Sequence, residues 1–222
     1  DTSFEIEKLP TPDKKSIGDI FRDADKGIFG IPDFQRAWTW SRGQIEELWE
    51  SIFRGYYIGS ILVWNGRGKD LYSNPVSGAE KLSDHPDMIL DGQQRTTAIY
   101  YPLKAPDRSL PNTDHPYLFF LDINALLDPS RPPTDIVSSY RIKKVERLGL
   151  LEQKTQFEKK LFPLSELNDK KYTDRVFDFY EYLMETERFE KETAKKYRST
   201  LESIFIYVWS HFEIPIVKLP EN

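Results

Sequence analysis

Apolar side chains recur at helical spacing in five segments of the chain, and each of these segments is predicted to form a helix. The segments are residues 16–24, 41–55, 94–101, 174–186 and 190–209. Ser41, with Gln44 three residues later, is typical of a capping box that starts the second helix. Pro102 is expected to end the third helix, because the residue before a proline is disfavoured in helical conformation.

Short runs of β-branched and aromatic residues predict strands between these helices. The runs are residues 27–32, 57–64, 88–90, 117–123 and 212–219. Because Pro215 lies in the last run and lacks a backbone donor, we expect that strand at the edge of its sheet. Residues 65–68 are expected to form a turn, 73–86 an inserted loop and 129–133 another loop, followed by a charged segment that reaches Tyr172.

Composition narrows the class of protein. The chain has 222 residues, 39% of them hydrophobic, which suffices for one large domain or for a domain with a helical appendage. It contains no cysteine, which excludes disulfides, thiolate metal sites and a cysteine nucleophile. No apolar run could span a bilayer and no secretory signal pattern is visible, so we expect a cytoplasmic protein without a membrane partner. The net charge of -5 implies that any contact with DNA is localised.

The strongest chemical feature is the run from Asp91 to Arg95, which lies where a predicted strand ends and a helix begins. Free N–H groups and the helix dipole favour an anion at such a position. Gly92 allows a tight turn, Arg95 can hold phosphate oxygens, and Asp91 can bind Mg²⁺. Gln93 and Gln94 are suited to orienting a water. The alternative is a polar turn in which Arg95 pairs with a nearby carboxylate.

A second Gln–Arg pair follows another predicted strand. Gln35 and Arg36 come directly after residues 27–32, so the two pairs could converge on one polyphosphate. Trp38 and Trp40 lie on the same predicted loop and are candidates for stacking on a base, with burial in the core as the alternative. The chain has no Gly-x-x-x-x-Gly-Lys-Ser/Thr loop, so this is not a P-loop nucleotide site.

These segments resemble the ParB-like domains with a DGQQR motif that begin GmrSD-type modification-dependent restriction enzymes and related phage-defence proteins. The resemblance rests on three ordered motifs, residues 31–40, 44–49 and 91–95, together with the strand residues Gly59, Ser60 and Ile61. It is dense over Ile31 to Ile99 and thin beyond. It implies an α+β fold: a ParB- and sulfiredoxin-like mixed-sheet core over residues 1–130, with residues 131–222 as the charged segment, helical extension and closing strand of the same domain.

The resemblance also implies binding or hydrolysis of a nucleoside triphosphate with Mg²⁺, which Asp91 would hold. The residues carried over as catalytic are Asp91, Gln93, Gln94 and Arg95, and those carried over as nucleotide- or phosphate-binding are Gln35, Arg36, Gly92 and Thr97. Thr97 is preferred for a hydroxyl contact because Thr96 and Ala98 depart from the family pattern.

The function that the resemblance implies is an NTP sensor in a DNA restriction or phage-defence protein. Its expected partners are a nucleotide, DNA that includes modified DNA, and a nuclease domain or partner subunit outside this chain; self-association is left open. The alternatives are a ParB-like module that binds or nicks DNA directly and a noncatalytic interaction domain.

A basic stretch is the best candidate for contact with the DNA backbone. It comprises Arg141, Lys143, Lys144 and Arg147. The alternative is a solvated helix face, because glutamates such as Glu146 interleave with the basic residues.

Overall fold

A computed structural model describes residues 11–65, 72–128, 130, 135–168 and 171–220. Most of the turn predicted at 65–68 and of the loop predicted at 129–133 lies outside these ranges. The strands are β1 (Thr11–Ser16), β2 (Phe29–Pro32), β3 (Ile61–Trp64), β4 (Ser73–Pro75), β5 (Asp87–Asp91), β6 (Tyr117–Asp122), β7 (Val137–Arg141), β8 (Leu161–Pro163) and β9 (Glu213–Leu219). The helices are α1 (Ile17–Asp25), α2 (Arg42–Phe53), α3 (Gln93–Lys104), α4 (Ile123–Leu127), α5 (Ile142–Arg147), α6 (Gln153–Lys159), α7 (Lys171–Glu185) and α8 (Lys191–Ile206). A 3₁₀ turn spans Leu164–Leu167 and a π-helical turn spans Tyr207–His211.

Six strands form a mixed sheet in the order β1-β9-β3-β5-β2-β4, and three form an antiparallel sheet in the order β7-β6-β8. In the larger sheet β2 runs parallel to β5, and β3 runs parallel to β9. The predicted α+β class with a mixed sheet and C-terminal helices is therefore confirmed. Because β9 lies between β1 and β3, the end of the described chain completes the main sheet.

The prediction that β9 is an edge strand was wrong. It pairs with β1 on one side and with β3 on the other. The pairing with β3 begins at Ile216, opposite Ile61, whereas Pro215 pairs only with Lys14 of β1. Pro215 thus lies where one side of the strand has no partner, and a residue without an N–H is tolerated there.

The prediction that α3 ends at Pro102 was also wrong, because the helix continues to Lys104. Pro102 cannot donate the helical hydrogen bond to the carbonyl oxygen of Ala98, four residues earlier. The indole Nε1–H of Trp49, on α2, donates to that oxygen at 3.1 Å. A bond between two helices therefore replaces the bond that proline removes.

The segment predicted only as charged contains β7, α5, α6 and β8. These elements are short and each buries few side chains; Val145 is the one buried residue of α5. Ser139 of β7 is buried and donates to the Glu46 carboxylate of α2 at 2.5 Å. Contacts with distant elements, rather than a local apolar pattern, stabilise this region.

One apolar cluster joins the main sheet to α1, α2, α3, α7 and α8, and a small second cluster forms around Phe120, Val145 and Leu150. The most buried helix is α3, in which ten of the twelve residues are buried. This burial fixes both ends of α3 relative to the sheet. Within the described residues, no helix combines the length and apolar character needed to cross a membrane.

Trp49→Phe is expected to lower the free energy of unfolding by about 1–3 kcal/mol beyond the effect of the smaller ring, because the Ala98 carbonyl then has no donor. Equilibrium urea unfolding measures this quantity. Pro102→Ala restores a backbone N–H, so it should recover part of the loss when it is combined with Trp49→Phe. Strictly additive effects of the two substitutions would show that Trp49 does not replace the missing bond.

Candidate functional site

The segment from Asp91 to Arg95 forms the junction between β5 and α3. Gly92 has a φ of 91°, in the left-handed region that side-chain-bearing residues rarely adopt. Gly92 is the N-cap of α3 and offers no side-chain acceptor to the N–H groups of the first turn. Because β2 and β5 are parallel, the loop after β2 begins at the same end of the sheet. A helix N-terminus and two strand ends therefore meet there.

A cleft of about 620 Å³ opens beside this junction. Four parts of the chain line it: the loop after β2 between Ile31 and Trp38, β4 with the following Ser77, the first residue of α3, and the loop from Arg108 to Pro111. Most of these residues are polar or lie on loops. The first Gln–Arg pair and one residue of the DGQQR segment, Gln93, meet at this cleft.

The structure brings Gln35, Arg36 and Gln93 together in this cleft. Gln35 Nε2 donates to the carbonyl oxygen of Leu90 at 2.8 Å, which fastens the loop after β2 to the end of β5. Arg36 is exposed, and its guanidinium has no hydrogen-bond or ion-pair partner in the described parts of the chain. The amide of Gln93 likewise has no partner there. Arg36 and Gln93 are thus available to a ligand.

Gln94 has a different environment from Gln93. Its Oε1 accepts a hydrogen bond from the Thr39 backbone N–H at 2.9 Å, and its Nε2 donates to the Ala37 carbonyl oxygen at 3.2 Å. The side chain is only 9% exposed. Both ends of the amide therefore hold the loop before α2, and the geometry favours a positioning role. The catalytic role of Gln94 stays a prediction.

Arg95 extends away from the cleft, toward the loop before β3. Its Nη1 donates to the Ser60 carbonyl oxygen at 2.6 Å. A Cβ at Gly59, where φ is 96°, would lie 2.6 Å from Arg95 Nη2, so the close approach of the guanidinium requires glycine there. Arg95 does not line the cleft, and no carboxylate in the described ranges pairs with it. The structure therefore does not bring Arg95 and Arg36 into one cleft.

Asp91 and Thr97 also lie outside the lining of the cleft. Asp91 is exposed at the end of β5, opposite Leu62 of β3, and Thr97 is 1% exposed within α3. Among the described residues, no group of three or more His, Cys, Asp or Glu side chains could hold a metal. The residues here do not fit a preformed Mg²⁺ site, and the metal role of Asp91 and the phosphate contact of Thr97 stay predictions.

The two tryptophans after Arg36 pack inward. Trp38 is 9% exposed, and its ring centroid lies 5.4 Å from that of Tyr101. Trp40 is half-buried against the apolar core. Trp38 is buried although it lines the cleft, and both rings pack on the core, so the packing favours the core alternative; base stacking stays a prediction.

Arg108 and Ser109 are cleft residues that the sequence patterns did not indicate. They lie on an irregular loop after α3 with no motif around them. Their position beside Arg36 depends on the continuation of α3 past Pro102, which the local pattern did not predict. No local signal could have identified them.

The four predicted basic residues lie together at a second cleft, of about 640 Å³. We call it the basic groove; it is lined by His115, Pro116, residues 141–144, Glu146 and Arg147. All four basic residues are exposed. Arg141 Nε donates to the Tyr117 hydroxyl at 3.0 Å, and Lys144 Nζ lies 4.4 Å from the centroid of the Tyr140 ring.

The fold and the cleft define an α+β domain with a polar site where two parallel strands end and a helix begins. The family model described as the N-terminal domain of GmrSD restriction endonuclease matches residues 17–222. The chain therefore belongs to this family. It is also 32% identical over 171 residues to the uncharacterised protein MJ0686 of Methanocaldococcus jannaschii. That match covers 71% of the present chain and 29% of the relative, so the chain corresponds to a minor part of the relative's length.

Gln94→Leu is expected to lower the free energy of unfolding by about 1 kcal/mol, because the backbone groups of Ala37 and Thr39 lose their partners. Gln93→Leu is the matched control, since it removes a neighbouring buried amide without a protein partner; we expect its effect to stay within about 0.5 kcal/mol. Urea unfolding of both variants checks the difference. Equal destabilisation would contradict separate roles for the two glutamines.

Proposed function

We propose that this domain binds a nucleoside triphosphate, as its Mg²⁺ complex, in the cleft beside Gly92 and hydrolyses it. We propose further that the domain belongs to a DNA restriction or phage-defence protein and that nucleotide binding gates a nuclease outside this chain. The observation that carries the proposal is an unpaired guanidinium, that of Arg36, in a cleft at the N-terminus of α3.

Phosphate oxygens suit this arrangement. The N–H groups of the first turn of α3 have no side-chain cap, and the helix dipole adds partial positive charge at the same place. Arg36 supplies two parallel donors, which is the geometry that binds phosphate most strongly. An anion in the cleft therefore provides acceptors for groups that the protein leaves without partners.

Residues in the cleft and next to it have different roles in the proposed hydrolysis. Gln93 is the glutamine with a free amide, so it is better placed than Gln94 to orient the attacking water. Arg95 holds Ser60, and a Cβ at Gly92 would lie 3.2 Å from the Ser60 carbonyl oxygen. Arg95 therefore keeps the loop before β3 packed against the turn. Mg²⁺ enters with the phosphates as part of the substrate.

Membership of a restriction-endonuclease family supports the wider role in DNA restriction. The three histidines are His85 before β5, His115 beside the basic groove and His211 after α8, so they do not assemble a catalytic cluster in the structure. In this proposal, cleavage of DNA belongs to a nuclease domain or partner subunit. Nucleotide turnover is the step that this domain contributes.

Arg36→Ala is expected to weaken triphosphate binding about tenfold or more and to cost about 2–4 kcal/mol of transition-state stabilisation, as the loss of a preorganised donor does. Isothermal titration calorimetry and phosphate release with each of the four NTPs and Mg²⁺ measure the two effects. Arg22→Ala, on the exposed face of α1, is the control and should behave as the parent chain does. A parent chain that binds no NTP, or an Arg36→Ala variant with parental affinity, would refute the proposal.

A second candidate function is direct contact with the DNA backbone, which the basic groove favours. Four exposed cations line one concave surface, and Glu146 is the one acidic residue in that lining. Such a surface binds phosphates without reading sequence. A ParB-like DNA-binding role would use this groove, whether or not the nucleotide cleft is occupied.

Replacing Lys143 and Arg147 together with alanine is expected to weaken duplex DNA binding by a similar factor for every sequence. It should also reduce the slope of log affinity against log salt by about one for each phosphate that the double variant no longer binds. Fluorescence anisotropy at several salt concentrations measures both quantities. A matched double variant of Lys195 and Lys196, exposed on α8, should leave the slope unchanged; an equal change in both variants would exclude the groove as the DNA-binding surface.

A further inference from the structure

Arg108 extends the proposed nucleotide site to a second loop. It lies four residues beyond the end of α3, whose C-cap Ala105 has a left-handed φ of 48°. Arg108 is exposed and lines the same cleft as Arg36. Two arginines from two separate loops therefore border one cavity.

Tyr101 holds the loop that carries Arg108. Its hydroxyl donates a hydrogen bond to the Arg108 carbonyl oxygen and accepts one from the Tyr117 backbone N–H. Burial raises the pKa of Tyr101 to about 12, so the hydroxyl keeps its proton even well above neutral pH. Further along the loop, the Leu110 N–H donates to the His115 carbonyl oxygen at 3.3 Å. Hydrogen bonds therefore hold the backbone of this loop at Arg108 and after it.

The same tyrosine also contacts the loop that carries Arg36. Trp38, two residues after Arg36, packs its ring on Tyr101. One buried side chain of α3 therefore contacts both arginine-bearing loops. The separation of the two loops is set by the protein core rather than by the ligand, which is the condition for a preorganised binding site.

The charged residues in the lining of the cleft are mainly basic. Arg36 and Arg108 are the two basic residues in its lining, and neither has an ion-pair partner among the described residues. Asp33 is the one acid in the lining, and its Oδ1 already accepts a hydrogen bond from Asn74 Nδ2 at 2.7 Å. The two arginines and Asp33 leave the lining with a net positive charge, so the cleft favours an anion, and each arginine remains able to bind a phosphate group of its own.

We propose that Arg108 binds a second phosphate group of the ligand, so that the cleft selects nucleoside di- and triphosphates over monophosphates. The inference rests on the proposed nucleotide-binding function of the same cleft. Arg36 and the N-terminus of α3 bind one phosphate group of the ligand. Arg108, from the other loop, binds the adjacent phosphate group of the same ligand. Selectivity for a polyphosphate follows because a single phosphate gains little from the second arginine.

The test compares the affinities of ATP and AMP for the parent chain and for Arg108→Ala, by calorimetry with Mg²⁺ present. Removal of one charge-assisted hydrogen-bonding group should weaken ATP binding about tenfold while AMP binding changes by less than about twofold. Arg108→Lys keeps the positive charge but loses the paired donors of the guanidinium. Its affinity for ATP should therefore lie between those of the parent chain and of Arg108→Ala. Asp107→Ala, an exposed neighbour outside the lining, is the control for disturbance of the loop and should match the parent chain.

The outcomes separate the two proposals. If Arg36→Ala weakens ATP binding and Arg108→Ala does not, the role of Arg108 is wrong and the nucleotide site stands. Equal losses of ATP and AMP affinity in Arg108→Ala would overturn the selectivity. If the parent chain binds none of the four NTPs, the nucleotide site itself is wrong and the role of Arg108 falls with it; if it binds another NTP in place of ATP, that triphosphate and its monophosphate replace ATP and AMP in the comparison. Unfolding curves for each variant confirm that it is folded before affinities are compared.

Discussion

The burial of α3 is the constraint on which the rest of the site depends. Ten of its twelve residues are enclosed, so the helix cannot shift without disturbing the core. Its first turn lies at the strand ends, and its last turn carries Tyr101, which contacts both loops that border the cleft. The bond from Trp49 to Ala98 keeps the helix intact past Pro102 and so preserves this spacing.

The DGQQR segment contains residues that hold neighbouring loops and a residue that faces the cleft. Gln94 and Arg95 are committed to hydrogen bonds with neighbouring loops, while Gln93 faces the cleft with a free amide. The segment therefore positions the loops near the cleft and also contributes one side chain to its lining. Substitution of Gln94 or Arg95 will disturb the loops they hold, so activity loss in those variants alone does not identify a residue that touches the ligand.

The loop between α3 and β6 contributes to both clefts of the molecule. Its first half lines the proposed nucleotide site through Arg108 and Leu110, and its end lines the basic groove through His115. The hydrogen bond between Leu110 and His115 joins the two halves. The domain therefore presents a polar cleft and a cationic groove on either side of one short, well-bonded segment, which is a compact arrangement for a protein proposed to bind both a nucleotide and DNA.

Local patterns in the sequence determined the helices with strong apolar periodicity, the strand before Asp91 and the basic stretch from Arg141 to Arg147, because each follows from side chains close together in the chain. The motifs also identified the family. The tertiary structure alone decided the length of α3 and the interior position of β9. The indole of Trp49 replaces the hydrogen bond that Pro102 removes from α3, and Pro215 lies where β9 has no partner on the side of β3. It alone placed Arg108 beside Arg36 and turned Arg95 away from both. Such contacts join residues far apart in the chain, so no local pattern encodes them.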